Sequence, residues 1–180
     1  LHTGNTSRLT LKPAPENHGV VIRRVDLHEK PEFKPHISQV GDLVRNTTLK
    51  SGHSQVHTVE HVMAALHGMG IDNVVIEMDA SEPPIMDGSS KFFVEAIEKA
   101  GIVEQEAVRD EYIVKEVITY TDEESGSDIT VIPSDSYQVT TMVDFGTKVL
   151  GTQNATLKQL SSFKDEISEE KLRELKEKDV

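Results

Sequence analysis

The segment 57–68, with the sequence HTVEHVMAALHG, restricts the fold more than any other part of the chain because it has the pattern of a short amphipathic helix. Thr58 is a suitable N-cap, since its hydroxyl can accept a hydrogen bond from a free backbone N–H of the first turn. Gly68 and Gly70 are typical of a helix end. Apolar side chains at i, i+3, i+4 and i+7 predict a buried face made of Val59, Val62, Met63 and Leu66. The rest of the chain is therefore expected to pack against one side of this helix.

Glu60 and His61 fall in the first turn of the predicted helix. The positive end of the helix dipole favours an ionised carboxylate and a neutral imidazole, which are the forms required of a general base and a metal ligand. Ordinary interpretations compete with this one, because a first-turn Glu commonly serves only as a dipole partner and a single His is commonly a surface or core residue. The segment also lacks the second His, four residues after the first, of a helical zinc protease. Taken alone, the pair leaves both interpretations open.

Charge and composition exclude several classes of function. The 180 residues include 19 basic and 31 acidic side chains, and the net charge of -12 opposes binding to a polyanion, so we expect no nucleic-acid partner. No stretch approaches the roughly 20 apolar residues that span a bilayer, and the first residues lack the pattern of a signal peptide. With no cysteine, a metal site would have to use His and carboxylate side chains. We expect a soluble protein, and this composition fits the cytoplasm.

The first half of the chain is predicted to contain several short strands. Alternating apolar side chains predict a strand over 6–13 and a returning strand over 20–25, which the turn at 13–19 joins into a hairpin. Further strands are predicted at 37–40, 43–49, 55–57 and 74–78, with a tight turn at 51–53. The β-branched side chains of 74–78 are typical of the interior of a sheet.

A second helix is predicted after the proline-containing loop 79–87, beginning after the serine pair 89–90 and ending at Gly101. Its predicted apolar positions are Phe92, Phe93, Ala96, Ile97 and Ala100. The word MDGS at 86–89 is interpreted as scaffold, because its Gly can supply a positive φ and its Asp or Ser can tie the loop to the helix.

The second half of the chain predicts a further domain. Residues 103–110 are a polar connector, which places a first domain at 1–107, a second at 108–167 and a charged helical tail with a solvated surface at 168–180. Strands of a second sheet are predicted at 112–120, 129–132 and 137–145, with a hairpin turn at 121–127. Residues 154–160 are either a strand or the approach to a helix that Ser161 or Ser162 caps.

Four words occur in order along the chain: LHTG at 1–4, HTVEH at 57–61, GIDN at 70–73 and PIMDGS at 84–89. Together they resemble the zinc-dependent UDP-3-O-acyl-N-acetylglucosamine deacetylases of lipid A biosynthesis, and the likeness extends to about residue 167. The resemblance implies an α+β fold of duplicated two-layer β/α sandwich domains, the second incomplete here. NHG at 17–19 and FKDEI at 163–167 resemble the branch of this family that is fused to a hydroxyacyl-ACP dehydratase, which would then be a fused or associated partner.

The resemblance also implies a site and a reaction. His61 would be one zinc ligand, Glu60 the base that takes a proton from water, and His2 a residue near the site entrance that contacts the UDP-sugar acyl substrate, with simple packing as the alternative for His2. The family takes its other zinc ligands from a segment after residue 167 that is missing here. We therefore expect an incomplete deacetylase, cut or joined across a lost segment between Ile167 and Ser168, and we expect these 180 residues alone to bind zinc weakly and to be inactive.

Two other functions are weighed against this hydrolase. One is a non-catalytic scaffold or interaction domain that keeps the fold without the metal. The other is an RNA-binding module on a similar split β/α fold, which the net charge of -12 disfavours.

The remaining six histidines are interpreted as ordinary residues. Those at 18, 28, 36 and 53 are expected in exposed polar turns, and those at 57 and 67 are expected away from the face that carries His61.

Overall fold

A computed structural model of the chain describes residues 4–41 and 46–166. Helices and strands are mixed along it, and the fold is of the α+β class. The chain forms two compact units: one runs up to Ala107 and resumes at Phe163, and the other is Val108–Ser162. These are units of packing, and the domain boundaries at 107 and 167 stay predictions. None of the helices in the described residues is long and apolar enough to cross a bilayer.

Within the described residues, the first unit contains six strands and three helices. The strands are β1 (Leu9–Pro13), β2 (Val20–Arg24), β3 (Glu32–Phe33), β4 (Leu49–Ser51), β5 (Ser54–Val56) and β6 (Val74–Met78). The helices are α1 (Glu60–Gly68), α2 (Lys91–Ala100) and α3 (Phe163–Glu166). The strand predicted at 74–78 is confirmed, and so is the turn at 51–53, which joins β4 to β5.

The main sheet has the order β1-β6-β2-β3, in which β6 pairs antiparallel with β1 and parallel with β2. The hairpin predicted from 6–13 and 20–25 is therefore wrong, because both strands form but β6 lies between them. Four of the five residues of β6 are buried, as expected for a strand in the centre of a sheet. The connection 14–19 consequently spans two inter-strand spacings, about 10 Å, rather than closing a tight turn.

The core of the first unit joins this sheet to the helices. The side chains of Ile22, Phe33 and Ile76 are 0% exposed, as are those of Val62 and Ala65 on α1. Helix α1 packs against α2. The core therefore lies directly beneath the helix that carries the candidate site.

The predicted helix faces are largely correct for α1 and less so for α2. Val59, Val62 and Leu66 are buried as predicted, whereas Met63 is half-buried and Ala65 is buried in its place. On α2 the buried residues are Phe93, Val94 and Ile97, while Phe92, Ala96 and Ala100 are exposed, so the apolar face is rotated by one position from the prediction.

The strand predicted at 37–40 is wrong. A 3-10 turn occupies Ile37–Gln39, and Ile37 is 84% exposed. Nδ1 of His36 accepts a hydrogen bond from the backbone N–H of Ser38 at 3.2 Å, and this local cap competes successfully with strand formation. The prediction at 43–49 falls partly outside the described residues, and β4 begins at Leu49.

The second unit contains two separate hairpins within the described residues. Strands β7 (Ile118–Asp122) and β8 (Ser127–Val131) form one, and β9 (Val139–Asp144) and β10 (Thr152–Leu157) form the other. The turn predicted at 121–127 is confirmed, and 154–160 begins as strand rather than helix. The strand predicted from residue 112 starts only at Ile118, and Tyr112 is 87% exposed, because no neighbouring strand pairs with 112–117 among the described residues.

The central strand gives a direct test of the core. Replacing Ile76 by Ala should lower the free energy of unfolding by about 2–5 kcal/mol, because the side chain is 0% exposed and its removal leaves a cavity. Ile37→Ala is the matched control at 84% exposure, and it should change stability by about 0.5 kcal/mol or less. Urea unfolding followed by circular dichroism measures both. Equal effects would contradict the placement of β6 in the core.

Arg24, at the end of β2, ties the sheet to the strand that precedes α1. Its Nε and Nη2 donate to the carboxylate of Asp26 at 2.8 and 2.6 Å, and its Nη1 donates to the backbone carbonyl of Gln55 at 3.0 Å. The side chain of Arg24 is 9% exposed and that of Asp26 28%. The hydrogen bonds from Arg24 lower the pKa of Asp26 below its ordinary value.

This pair should make stability depend on pH. A depressed folded-state pKa stabilises the fold above the unfolded value of about 3.9, and the contribution is lost as pH falls through the lower folded value. Asp26→Asn should therefore cost about 1 kcal/mol at pH 7, and the difference from wild type should shrink below about pH 4. The exposed Asp135 supplies the control Asp135→Asn. A difference that does not vary with pH in urea unfolding would count against the ion pair.

Candidate active site

The chain reaches α1 through Thr58, whose backbone has a φ of 56°. Its hydroxyl donates to Oε1 of Glu82 at 2.8 Å, and the two residues are 7% and 4% exposed. Val59 holds the N-cap position, and no side chain caps the helix there. The prediction that Thr58 caps α1 is therefore wrong, because the buried carboxylate of Glu82 engages the hydroxyl.

Glu60 is half-buried in the first turn of α1. Its Oε2 accepts a hydrogen bond from the backbone N–H of Thr47 at 3.0 Å, and the carbonyl of Thr47 accepts from the N–H of Val59 at 3.4 Å. Within the described residues, no hydrogen bond reaches the other carboxylate oxygen, Oε1. Glu60 therefore has one oxygen that orients the side chain and a second that can accept a proton.

His61 follows in the same turn and is also half-buried. Its backbone carbonyl accepts a hydrogen bond at 3.0 Å from the hydroxyl of Ser90, which lies at the start of α2 and is 8% exposed. No group among the described residues hydrogen-bonds to the imidazole ring. The backbone of His61 is thus fixed to α2, while its ring nitrogens stay available for a ligand or a metal ion.

Two loops hold the approach to this turn. The N–H of His57 donates to the carbonyl of Ser81 at 2.8 Å, and Nδ1 of His57 is hydrogen-bonded to the hydroxyl of Thr48 at 3.0 Å. The Thr48 hydroxyl also donates to Oδ1 of Asn46 at 3.2 Å. His57 therefore helps to fix the backbone that leads into α1.

The predicted site residues are only partly within the described structure. Glu60 and His61 lie on one turn, whereas His2 falls outside the described residues, as does the tail at 168–180. Histidines 28, 36, 53 and 67 are exposed, and histidines 18 and 57 are half-buried. The prediction of exposure is thus confirmed for His28, His36 and His53 but is wrong for His18, whose Nδ1 lies 3.1 Å from the carbonyl of Gly19.

The donor groups of the described residues do not complete a metal site. No cluster of three or more His, Asp or Glu side chains suited to a metal ion occurs in 4–41 or 46–166. His61 provides one imidazole, and a catalytic zinc site needs about three protein ligands. The described residues therefore supply one candidate ligand of such a site and not the full set.

Sequence reasoning missed the residues that position this turn. Thr47 acts through its backbone N–H, so its side chain carried no signal. Glu82 belongs to the loop SEPP, in which a carboxylate would ordinarily be interpreted as exposed, yet it is 4% exposed. The two prolines that follow it were the available hint, because a residue before proline is restricted to few backbone conformations.

The MDGS word behaves as the scaffold that the sequence predicts. Gly88 has a φ of 85°, and Oδ1 of Asp87 accepts from the N–H and the hydroxyl of Ser89 at 3.0 and 2.8 Å. The hydroxyl of Ser89 in turn accepts from the N–H of Lys91 at 3.2 Å. These bonds set the start of α2, from which Ser90 reaches His61.

Comparison with known proteins gives consistent matches. A family model described as UDP-3-O-acyl N-acetylglycosamine deacetylase (LpxC) matches residues 1–172. The chain is 41% identical to the bifunctional enzyme LpxC/FabZ of Bacteroides thetaiotaomicron and 44% identical to that of Porphyromonas gingivalis, in each case over 93% of this chain and 36% of the relative. It is 42% identical to the UDP-3-O-acyl-N-acetylglucosamine deacetylase of Hahella chejuensis, over 93% of this chain and 56% of the relative.

The chain therefore spans just over half of that deacetylase relative and about a third of the bifunctional ones. Glu60 and His61 both fall inside the residues that the family model matches.

Proposed function

The chain belongs to the UDP-3-O-acyl N-acetylglycosamine deacetylase family, and we propose that it acts in the zinc-dependent removal of acetate from UDP-3-O-acyl-N-acetylglucosamine, a step of lipid A biosynthesis. The observation that carries the proposal is the placement of a carboxylate and an imidazole in the first turn of one helix. The carboxylate is oriented by the N–H of Thr47, and the imidazole has no competing hydrogen bond within the described residues.

Hydrolysis of an acetamide requires a nucleophilic water and a group that accepts its proton. In the proposed reaction the water oxygen adds to the carbonyl carbon, and the C–N bond breaks as the leaving nitrogen takes up the proton that the water gave to the base. The products are acetate and the amine of the sugar. Oε1 of Glu60 is the proposed acceptor of the proton, because Oε2 is already engaged by Thr47.

His61 is the proposed contribution of this chain to the zinc site. A bound zinc ion supplies a water whose pKa is lowered to about 7 and a centre that polarises the carbonyl. The described residues contain no complete ligand set, so we propose that the remaining ligands lie outside them.

His2 stays the proposed contact to substrate. For the 180 residues alone, we propose weak zinc binding and no activity.

The bifunctional relatives suggest a partner for this protein, and its composition suggests a compartment. The relatives named as bifunctional LpxC/FabZ enzymes, at 41–44% identity, support the proposal that a hydroxyacyl-ACP dehydratase is fused to or associated with this protein. A cysteine-free sequence fits the reducing cytoplasm, which is the compartment we propose.

The alternative function is a scaffold that binds no metal. The specific observation in its favour is the lack of a three-donor cluster in the described residues.

The test replaces Glu60 by Gln in the protein as its gene encodes it. Acetate release from UDP-3-O-acyl-N-acetylglucosamine should fall about 10²- to 10⁴-fold, because the amide cannot accept the proton, while the zinc content stays unchanged. His61→Ala should instead lower the zinc content.

Glu95→Gln, at a side chain 54% exposed on α2, is the matched control and should keep wild-type activity. Full activity in Glu60→Gln would rule out the base. A wild-type protein that retains no zinc and releases no acetate would favour the scaffold.

A further inference from the structure

We propose that Glu82 is a positioning residue for the deacetylation: by holding Thr58 in its left-handed conformation, it sets the orientation of Glu60 and His61 on the first turn of α1. The inference rests on the proposed function of that pair. It assigns to Glu82 a role that needs no contact with the substrate or with a metal ion.

The backbone of Thr58 is the reason that a positioning group is needed. Its φ of 56° lies in the left-handed region, which is rare for a β-branched residue because the side chain crowds the backbone. Such a conformation persists only where surrounding contacts impose it. Here it lies immediately before the N-cap residue Val59.

Glu82 makes the shorter of the two hydrogen bonds that the Thr58 hydroxyl forms within the described residues. The Thr58 hydroxyl donates to its Oε1 at 2.8 Å, and the residues are 7% and 4% exposed. The amide of Asn46 also approaches the hydroxyl, at a longer 3.5 Å. Without the Glu82 carboxylate, the buried hydroxyl of Thr58 would lose its hydrogen-bond acceptor. The backbone of Thr58 already favours another conformation. Both effects would therefore drive Thr58 out of the left-handed region.

The loop that carries Glu82 is itself well anchored. The residue before it, Ser81, accepts from the N–H of His57 at 2.8 Å, so two successive residues of the loop hold two successive residues before α1. At the start of the loop, Asp79 accepts through Oδ1 from the N–H of Arg8 at 2.6 Å and donates its own N–H to the carbonyl of Arg8 at 3.3 Å. The loop follows β6, the central strand, and thus connects the site to the most buried part of the sheet.

The expected consequence concerns catalysis more than binding. A rotation at Thr58 would move Glu60, two residues later, away from the N–H of Thr47 that orients it. A displacement of about 1 Å in a catalytic group can cost about 10²-fold in rate. Substrate contacts made elsewhere would be preserved, so kcat should change and KM should not.

The experiment compares Glu82→Ala with Glu82→Gln in the protein as its gene encodes it. We expect Glu82→Ala to lower kcat about 10- to 100-fold and KM to change less than about threefold. Glu82→Gln keeps an oxygen that accepts from Thr58, so its kcat should stay within about threefold of wild type. Amide hydrogen exchange of residues 59–62, measured by mass spectrometry on metal-free protein, should be faster in Glu82→Ala only.

Ile76→Val is the control for general loss of stability, and its kcat and its exchange at 59–62 should match wild type. The inference is overturned if Glu82→Ala equals Ile76→Val in both measurements, or if Glu82→Gln loses as much kcat as Glu82→Ala. If Glu82→Ala does not fold, Thr58→Ala removes the same hydrogen bond by removing its donor and should show the same loss of kcat. An unchanged kcat in Thr58→Ala overturns the inference.

The exchange measurement does not depend on activity. Full activity in Glu60→Gln would therefore defeat the proposed function while leaving the role of Glu82 in fixing the helix start separately measurable.

Discussion

The hydrogen bond from the hydroxyl of Thr58 to the buried carboxylate of Glu82 is the interaction on which the site depends. It stabilises a backbone conformation that a threonine does not adopt unaided, and that conformation lets α1 begin within four residues of the end of β5. Glu60 and His61 therefore project from a turn that is tied to the core. Without that bend, the same residues would lie on a helix end free to fray.

Three neighbouring segments hold this helix start, and they come from different parts of the chain. The backbone of Thr47 orients Glu60, the loop after β6 holds Thr58, and Ser90 binds the backbone of His61. Each bond connects residues that are between 13 and 29 positions apart in sequence. The first turn of α1 is consequently held by three separate segments of the first unit, and these fix the two residues that are proposed to form the site.

Features set by neighbouring residues could be predicted from the sequence. The strand at 74–78, the turn at 51–53 and most of the buried face of α1 follow from periodicity and glycine placement. Pairing between distant segments could not. Adjacent strands with a short connection favour a hairpin, yet the more apolar β6 inserts between β1 and β2. The carboxylate of Glu82, 24 residues from Thr58, likewise could not be assigned to it from sequence, so the cap was misplaced.

The central proposal is that the first turn of α1 provides one zinc ligand and the base beside it. Diffraction data collected at the zinc absorption edge, from crystals of the zinc-loaded protein as its gene encodes it, test this claim most directly. We predict an anomalous peak at about 2.0–2.1 Å from a ring nitrogen of His61, with a Glu60 oxygen about 2.6–3.2 Å from a water on the metal. A peak remote from His61, or a Glu60 carboxylate turned away from that water, would contradict it.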